Sequence, residues 1–511
     1  MKRFFHKLGI IIKRTYQFPT MDSQNTSKIS RDEKKLTQKL VAFDNFIENA
    51  GLDPKSYQRE GVEWILGNET HSKPAMGVRG GLVADEMGLG KTILMIGTII
   101  SNFKKRTLIV VPLALMDQWF SEIYRTTGHK ALIYHGAAKK DIDYDILEKA
   151  PIVITTYGQI KCRKDERDKK LIHHLSWSRV LFDEAHHLRN SNTQNWIGAK
   201  RLTAKIRWLI TGTPIQNRKS DFYSLCEIMG YEKEYYMEDE NLMNLVRASI
   251  LKRRKTEVGI KLPDVRTHKI NVDWENKDEQ MLAEDIHNLL TFSDVNTERG
   301  VNSAMAALGS EYLPLLVRAR QSCVYPKLMA PVLKKFKEMG LLDDEDNFNI
   351  DDAVKHCSKI DAVVTKILDR KENNRAKLVF CHYRGEIDII AKRLSEQGLD
   401  VQKFDGRTSH ADRAEILTTP CDVLILQIMT GCEGLNLQHF KEIYFVSPHW
   451  NPAVEDQAVA RCHRIGQLDD VDIFRFQMNG FDDDGLTTTL DSYSASVQDA
   501  KRELFTIIDE Q

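Results

Sequence analysis

No two cysteines in this sequence stand as Cys-x-x-Cys: the eight lie at 162, 226, 323, 357, 381, 421, 432 and 462. That excludes a zinc ribbon built on such pairs and a secreted disulfide framework, and it leaves reduced thiols, as in an intracellular protein. No apolar run nears the roughly 18–20 residues that a membrane span needs, so no membrane partner is expected. Neither charge is in excess, since Lys plus Arg and Asp plus Glu both total 73. A polyanion-binding surface must then be a local stripe balanced by acid elsewhere. Low-complexity segments and short-period repeats are also lacking, and 511 residues hold only 13 prolines. With 42% hydrophobic and 29% charged residues, the chain reads as globular, with length for about two to four domains. Its start alone is lopsided. Lys2, Arg3, Lys7, Lys13 and Arg14 precede the first acid, Asp22. Lys13 and Arg14 close the apolar Leu8–Ile12 too early for a secretory core, so residues 1–20 read as a basic tail, with a targeting segment the alternative and Met21 a second start.

From Gly51 to about Gly230, short β-branched runs alternate with helical stretches. Arg106–Val111, Ile152–Thr156, Arg179–Phe182 and Trp208–Thr211 read as strands, and their continuous apolar character suits a parallel sheet covered on both faces. Between about 235 and 350 the pattern turns helical, with an acidic loop at Asp343–Asp346. Alternation then resumes at Lys359. Helices are predicted at Ile360–Leu368 and Ile387–Leu394, and strands at Lys377–Cys381, Val401–Phe404, Val423–Leu426 and Glu442–Val446. A last helix is predicted from about Ser496 to Ile508, after the acidic Asp482–Asp484. The fold class is therefore α/β, two parallel-sheet lobes with a helical section between them. The expected division is a basic and polar extension at 1–50, a first lobe at 51–235, a helical section at 236–355, a second lobe at 356–480 and a bracing helix at 481–511.

Chemistry concentrates in three places. Asp85-Glu86-Met87-Gly88-Leu89-Gly90-Lys91-Thr92 lies between the strand-like Gly81–Ala84 and a helical run. A strand, a glycine-bearing loop and a helix N-terminus form an anion cradle of backbone N–H groups, in which Lys91 reaches terminal phosphates and the Thr92 hydroxyl ligates Mg²⁺. The usual pattern has Gly where Asp85 stands; a tight turn before a helix is the plain alternative. The second place is Asp183-Glu184-Ala185-His186, directly after a strand. There Asp183 would hold Mg²⁺ through water and Glu184 would orient and deprotonate the attacking water, against the alternative of a surface acidic turn. The third is Gln457-x-x-x-Arg461-x-x-Arg464. On a helix the two arginines share a face, as a solvated basic patch or as charge for the γ-phosphate of ATP. Lys91 and Arg461 stand in different halves, so ATP is expected between the lobes.

These segments resemble the Swi/Snf-type ATPases, a branch of superfamily 2 helicases, over roughly residues 51–511. Tyr57–Trp64 resembles the family's opening motif, in which Gln58 would read adenine; Val111-Pro112-Leu113 through Gln118-Trp119 and Thr211–Asn217 resemble motifs Ia and III. Arg320-Gln321-Ser322-Cys323, Val379–His382, Gly434–Leu437, Trp450-Asn451-Pro452 and Arg461–Gln467 continue the series. The resemblance implies RecA-like lobes, ATP and Mg²⁺ as cofactors, and nucleotide contacts from Gln58, Asp85 to Thr92, Gly434 and Gln457. It implies phosphate contacts to double-stranded DNA from the loops around Pro112, Thr155–Thr156, Thr213–Asn217, Gly406–Arg407, Thr430–Gly431 and Trp450–Asn451. Trp450 equally suits a packing anchor. Arg253-Arg254-Lys255 is a basic cluster that equally suits the end of a solvated helix. At Gln427–Glu433 the sequence departs from the motif V pattern, which has a Ser or Thr and paired glycines. The compact build resembles stand-alone members of large DNA viruses. A monomeric translocase is implied, acting on nucleosomes, RNA polymerase or a repair complex in a nucleus, viral replication compartment or virion. The alternatives are an RNA-dependent ATPase of the DEAH kind, a transcription-termination nucleoside triphosphatase, or a scaffold on an inactive motor fold.

Overall fold

The computed structural model describes residues 31–71, 74–165, 170–212, 219–288, 313–338, 350–431, 435–481 and 488–499. The basic start, both acidic stretches, Thr213, Asn217, Gly434 and most of the last predicted helix lie outside them. The described residues fall into two compact units, one ending at Lys261 and the other beginning at Leu262.

The first unit is built on a wholly parallel sheet of seven strands: β1 (Gly80–Val83), β2 (Thr107–Val111), β3 (Leu132–Tyr134), β4 (Ile152–Thr156), β5 (Ser176–Asp183), β6 (Thr203–Ile210) and β7 (Ile250–Leu251). Their order across the sheet is β3-β4-β2-β5-β6-β1-β7. Side chains alternate between two cores, as the pleat requires. Leu82, Leu108, Val110, Val153, Val180, Phe182 and Leu209 enter one cluster, while Val83, Ile109, Val111, Ile154, Leu181, Trp208 and Ile210 enter the other. With both faces covered, every position of β2 and β4 is buried, which is why these strands read as unbroken apolar runs.

The stretch 1–50, read as a polar extension, holds a helix, α1 (Arg31–Asn49), that buries Leu40, Phe43, Phe46 and Ile47 against the second cluster. Phe43 lies so close to Gly97 that a Cβ there would stand 2.5 Å from its ring. Residues 31–49 are thereby corrected to a packed element, hidden in the sequence because charges fill the rest of the helix.

The second unit has a parallel sheet of six strands: β8 (Val265–Val272), β9 (Lys377–Cys381), β10 (Val401–Phe404), β11 (Val423–Gln427), β12 (Glu442–Phe445) and β13 (Val471–Met478), in the order β10-β11-β9-β12-β13-β8. Again the strands feed two clusters, Val379, Ile425, Tyr444 and Phe474 on one face and Leu378, Leu426, Ile443 and Ile473 on the other. The section read as helical thus also supplies an edge strand, β8, paired with β13 along eight residues. β8 is largely exposed and so lacks the apolar run that marks its neighbours. Helices at Ser358–Leu368 and Arg384–Glu396 match those predicted.

Candidate nucleotide site

The carboxyl ends of parallel strands are where open α/β sheets bind ligands, and the loop after β1 is built for an anion. Gly88 and Gly90 take φ of 92° and 77°, conformations that cost glycine little. Gly90 caps a helix, α2 (Lys91–Ser101), that has no acid in its first turn. A Cβ on Gly90 would stand 2.5 Å from Gln58 Nε2, and that same amide donates to the Leu89 carbonyl at 3.3 Å. Lys91 Nζ donates to the carbonyls of Asp85 at 2.8 Å and Glu86 at 3.4 Å. The loop therefore curls around its own ammonium at a helix N-terminus, the kind of helix end that meets phosphate.

Asp85, out of pattern for this loop, faces inward. Its carboxylate is buried and takes a forked ion pair from Arg253, Nε to Oδ1 at 3.1 Å and one terminal nitrogen to Oδ2 at 2.5 Å. The other terminal nitrogen of Arg253 donates to the Tyr57 carbonyl, and the guanidinium lies 5.5 Å from the Tyr57 ring centre. Lys255 pairs with Glu86 at 3.0 Å, and Glu86 N–H donates to the Arg253 carbonyl at 2.9 Å. This corrects the reading of Arg253-Arg254-Lys255 as a solvated helix end: Arg253 is 5% exposed and braces the loop from behind. Asp85 contributes its carbonyl to Lys91 and its carboxylate to that brace.

Asp183 closes β5. Trp119 Nε1 donates to its Oδ2 at 2.7 Å, the Glu184 N–H donates to Oδ1 at 2.9 Å, and the Tyr157 hydroxyl donates to its carbonyl at 2.7 Å. Burial first, and then the charge of Glu184, push the Asp183 carboxyl up to about 6, while Trp119, the Glu184 N–H and Lys91 pull it back. A desolvated acid beside a second acid favours a nearby cation. Among the described residues no three His, Cys, Asp or Glu side chains are grouped for a metal. The available donors, the Asp183 carboxylate and the Thr92 hydroxyl, fit a hard ion that takes its other ligands from phosphates and water. Glu184 Oε2 lies 3.3 Å from His186 Nδ1. Neither Trp119, buried in the helix Met116–Thr127, nor Tyr157, which directly follows β4, was assigned a contact to Asp183 from the sequence.

In the second unit Arg461 sits in the last turn of a helix, α3 (Pro452–Cys462), whose N-cap Asn451 accepts from the Ala453 N–H. The helix stops at Cys462, so Arg464 lies in the following turn rather than on the same helical face, a correction to the spacing argument. That turn is locked. Gln467 Nε2 donates to the carbonyls of Gln438 at 2.8 Å and Cys462 at 3.3 Å, Gln438 answers to the Ile465 carbonyl, and His463 Nε2 lies 2.7 Å from the Pro263 carbonyl. Burial and the adjacent Arg461 hold Arg464 below the usual guanidinium range. Among the described residues no acid pairs with it. Gln457 is buried within the helix.

The candidate phosphate contacts are less open than the sequence implied. Thr155 is fully buried and donates to the Tyr134 carbonyl at 2.8 Å, because it sits in a strand of the central sheet; it is corrected to a structural role. Thr156 faces His135 at 3.2 Å. Arg407 is forked onto Asp388 and Asp405 at 2.8 and 2.5 Å. Trp450 packs edge-on to Tyr493, with ring centres 6.3 Å apart. Pro112 caps a short turn, and Thr430 lies in the helix Ile428–Gly431.

The sequence matches the SNF2-related domain over residues 57–328 and the helicase conserved C-terminal domain over 358–466. It is 30% identical to the probable global transactivator of Orgyia pseudotsugata multicapsid polyhedrosis virus, across 80% of this chain and 83% of that one. An ATP-dependent DNA helicase of Arabidopsis thaliana is 27% identical across 82% of this chain, which spans only 58% of the relative's length. The helicase domain of Pyrococcus furiosus Hef shares the fold, with a TM-score of 0.50 and 16% identity over 87% of this chain and 98% of that one.

Proposed function

Because the chain belongs to the SNF2-related family of ATP-dependent helicases and is an ATP hydrolase, we propose that duplex DNA stimulates it and that it tracks along the duplex, displacing or remodelling bound proteins. The observation that carries the reading is the convergence of a P-loop lysine and an acidic pair at the carboxyl ends of β1 and β5, close enough for Lys91 to act on the Asp183 carboxyl. Lys91 and the α2 N-terminus hold the terminal phosphates. Thr92 and Asp183 would hold Mg²⁺, which when bound neutralises phosphate charge. Glu184 takes a proton from water as its oxygen bonds to the γ-phosphorus and the bond to the ADP oxygen breaks. Arg461 and Arg464, in the second unit, are the cations that the family resemblance implies for the phosphoryl oxygens.

Tracking follows from phosphate contacts, which carry no sequence information and weaken steeply with salt. The test compares ATPase stimulation by duplex DNA and by RNA, and then displacement of a triplex-forming third strand with opening of a tailed duplex. Duplex stimulation and ATP-dependent third-strand loss with the tailed duplex intact are expected. Stronger stimulation by RNA, or efficient opening of the tailed duplex without third-strand loss, would falsify the proposal.

A further inference from the structure

Glu184 holds a left-handed backbone, φ 48° and ψ 50°, which a residue with a Cβ keeps only where its surroundings fix it. The Tyr157 hydroxyl is one such fixing contact. The Asp183 carbonyl that it holds and the Glu184 N–H are two ends of one rigid peptide plane. A donor pinned to that carbonyl therefore limits rotation of the plane, and with it the φ of Glu184. Tyr157 is buried, and its ring centre lies 5.0 Å from that of His187. So enclosed, the hydroxyl moves when the Tyr157 backbone moves.

That backbone begins the turn Tyr157–Ile160 directly after β4, which runs on into the exposed Lys161, Arg163 and Lys164. Lys139, after β3, donates to Gln159 of the same turn at 3.0 Å. Lys139 after β3 and Lys161, Arg163 and Lys164 after the short helix thus form a rim of cations, and the first residue of that helix grips the catalytic peptide.

We propose that Tyr157 is a positioning residue that ties the backbone of Glu184 to this cationic rim, so that a polyanion seated on the rim sets the carboxylate for catalysis. The inference rests on the reading of the chain as a duplex-stimulated ATPase with Glu184 as its base. Tyr157 touches no reacting atom and acts through the Asp183–Glu184 peptide.

Tyr157→Phe deletes one hydroxyl and keeps the ring. ATP turnover of the full chain is measured with and without a blunt DNA duplex. Duplex-stimulated kcat is expected to fall about tenfold and basal kcat by distinctly less, so that the stimulation ratio drops, with KM for ATP and duplex affinity within about twofold, as for a contact that matters most in the stimulated transition state. Hydrogen exchange over residues 183–188 gives a second readout: duplex should raise protection there in the wild type and not in the variant. Stimulation retained by the variant overturns the proposal, as does an equal loss of basal and stimulated rates, the mark of a merely structural hydroxyl. Should the variant lack a folding transition, the wild-type exchange decides, and no added protection on duplex binding overturns it. A wild type that duplex leaves unstimulated sinks the function proposed above and this inference with it.

Discussion

At the residue scale, the buried pair of Asp85 and Arg253 shows how a departure from a motif can be compensated. A carboxylate at that P-loop position would repel phosphate if it faced the cradle; turned inward and forked by a guanidinium, it shapes the loop instead. Arg253→Leu leaves that carboxylate buried without a counter-charge and should cost about 3–5 kcal/mol. The double change Arg253→Leu with Asp85→Gly should recover most of that loss. Urea unfolding of both singles and the double measures the coupling, and simple additivity would show that the pair is not the brace described. In the cradle, Lys91→Ala should abolish turnover without lowering the thermal midpoint. Glu184→Gln should still bind ATP while kcat falls by at least about a hundredfold; wild-type turnover in Glu184→Gln would remove the base from the scheme. Lys91, Thr92, Asp183 and Glu184 were legible because their chemistry is set by neighbours within a few positions. Arg253 was not, because its partner lies 168 positions away and a run of three cations looks the same on a solvated helix.

At the scale of elements, the helix Lys277–Asn288 carries a titratable switch in its packing. His287 Nδ1 donates to the Ala283 carbonyl at 2.6 Å and Nε2 accepts the Leu490 N–H at 2.9 Å, so both nitrogens are satisfied only in the neutral ring. Burial pushes its pKa down to about 4, with the Ala283 carbonyl acting in the other direction. An unfolded histidine titrates near 6.5. The unfolded chain therefore binds the extra proton first, and stability that is present above about 6.5 is lost as pH falls towards 4, by roughly 3 kcal/mol. Urea unfolding of wild type and His287→Gln at pH 7 and pH 4.5 checks this, the variant losing less on acidification; parallel losses would place the acid sensitivity elsewhere. Elements were legible in proportion to their burial. β4 and β9 were readable to the residue because both faces of each are covered. β13 mixes Asp472, Arg475 and Gln477 among its apolar residues, and β8 is mostly exposed. Neither has the unbroken apolar run that betrays a central strand.

At the scale of the molecule, the parts assigned to hydrolysis are split between units: Lys91, Asp183 and Glu184 belong to the first, Arg461 and Arg464 to the second. Fragments 1–261 and 262–511 should each unfold cooperatively. The first should bind ATP yet turn over at least about a hundredfold more slowly than the whole chain, since it lacks both arginines. Full ATPase activity in 1–261 would dismiss the arginines from the chemistry. A cut at 355/356, the boundary read from the sequence, would instead strip β8 from its sheet and expose the edge of β13.

The pairing of β8 with β13 also dictates a timetable. Asn271 and Gln477, which meet across the two strands, are 206 positions apart. On the ribosome β8 emerges long before its partner exists, and such distant pairings form slowly. The second sheet cannot be completed until the chain has been made as far as Met478. A lone strand left waiting is an invitation to join a neighbouring nascent chain, and Arg266 and Lys269 give this one the charge that discourages edge-to-edge association. The polarity that hid β8 from sequence reading is thus also its protection during synthesis.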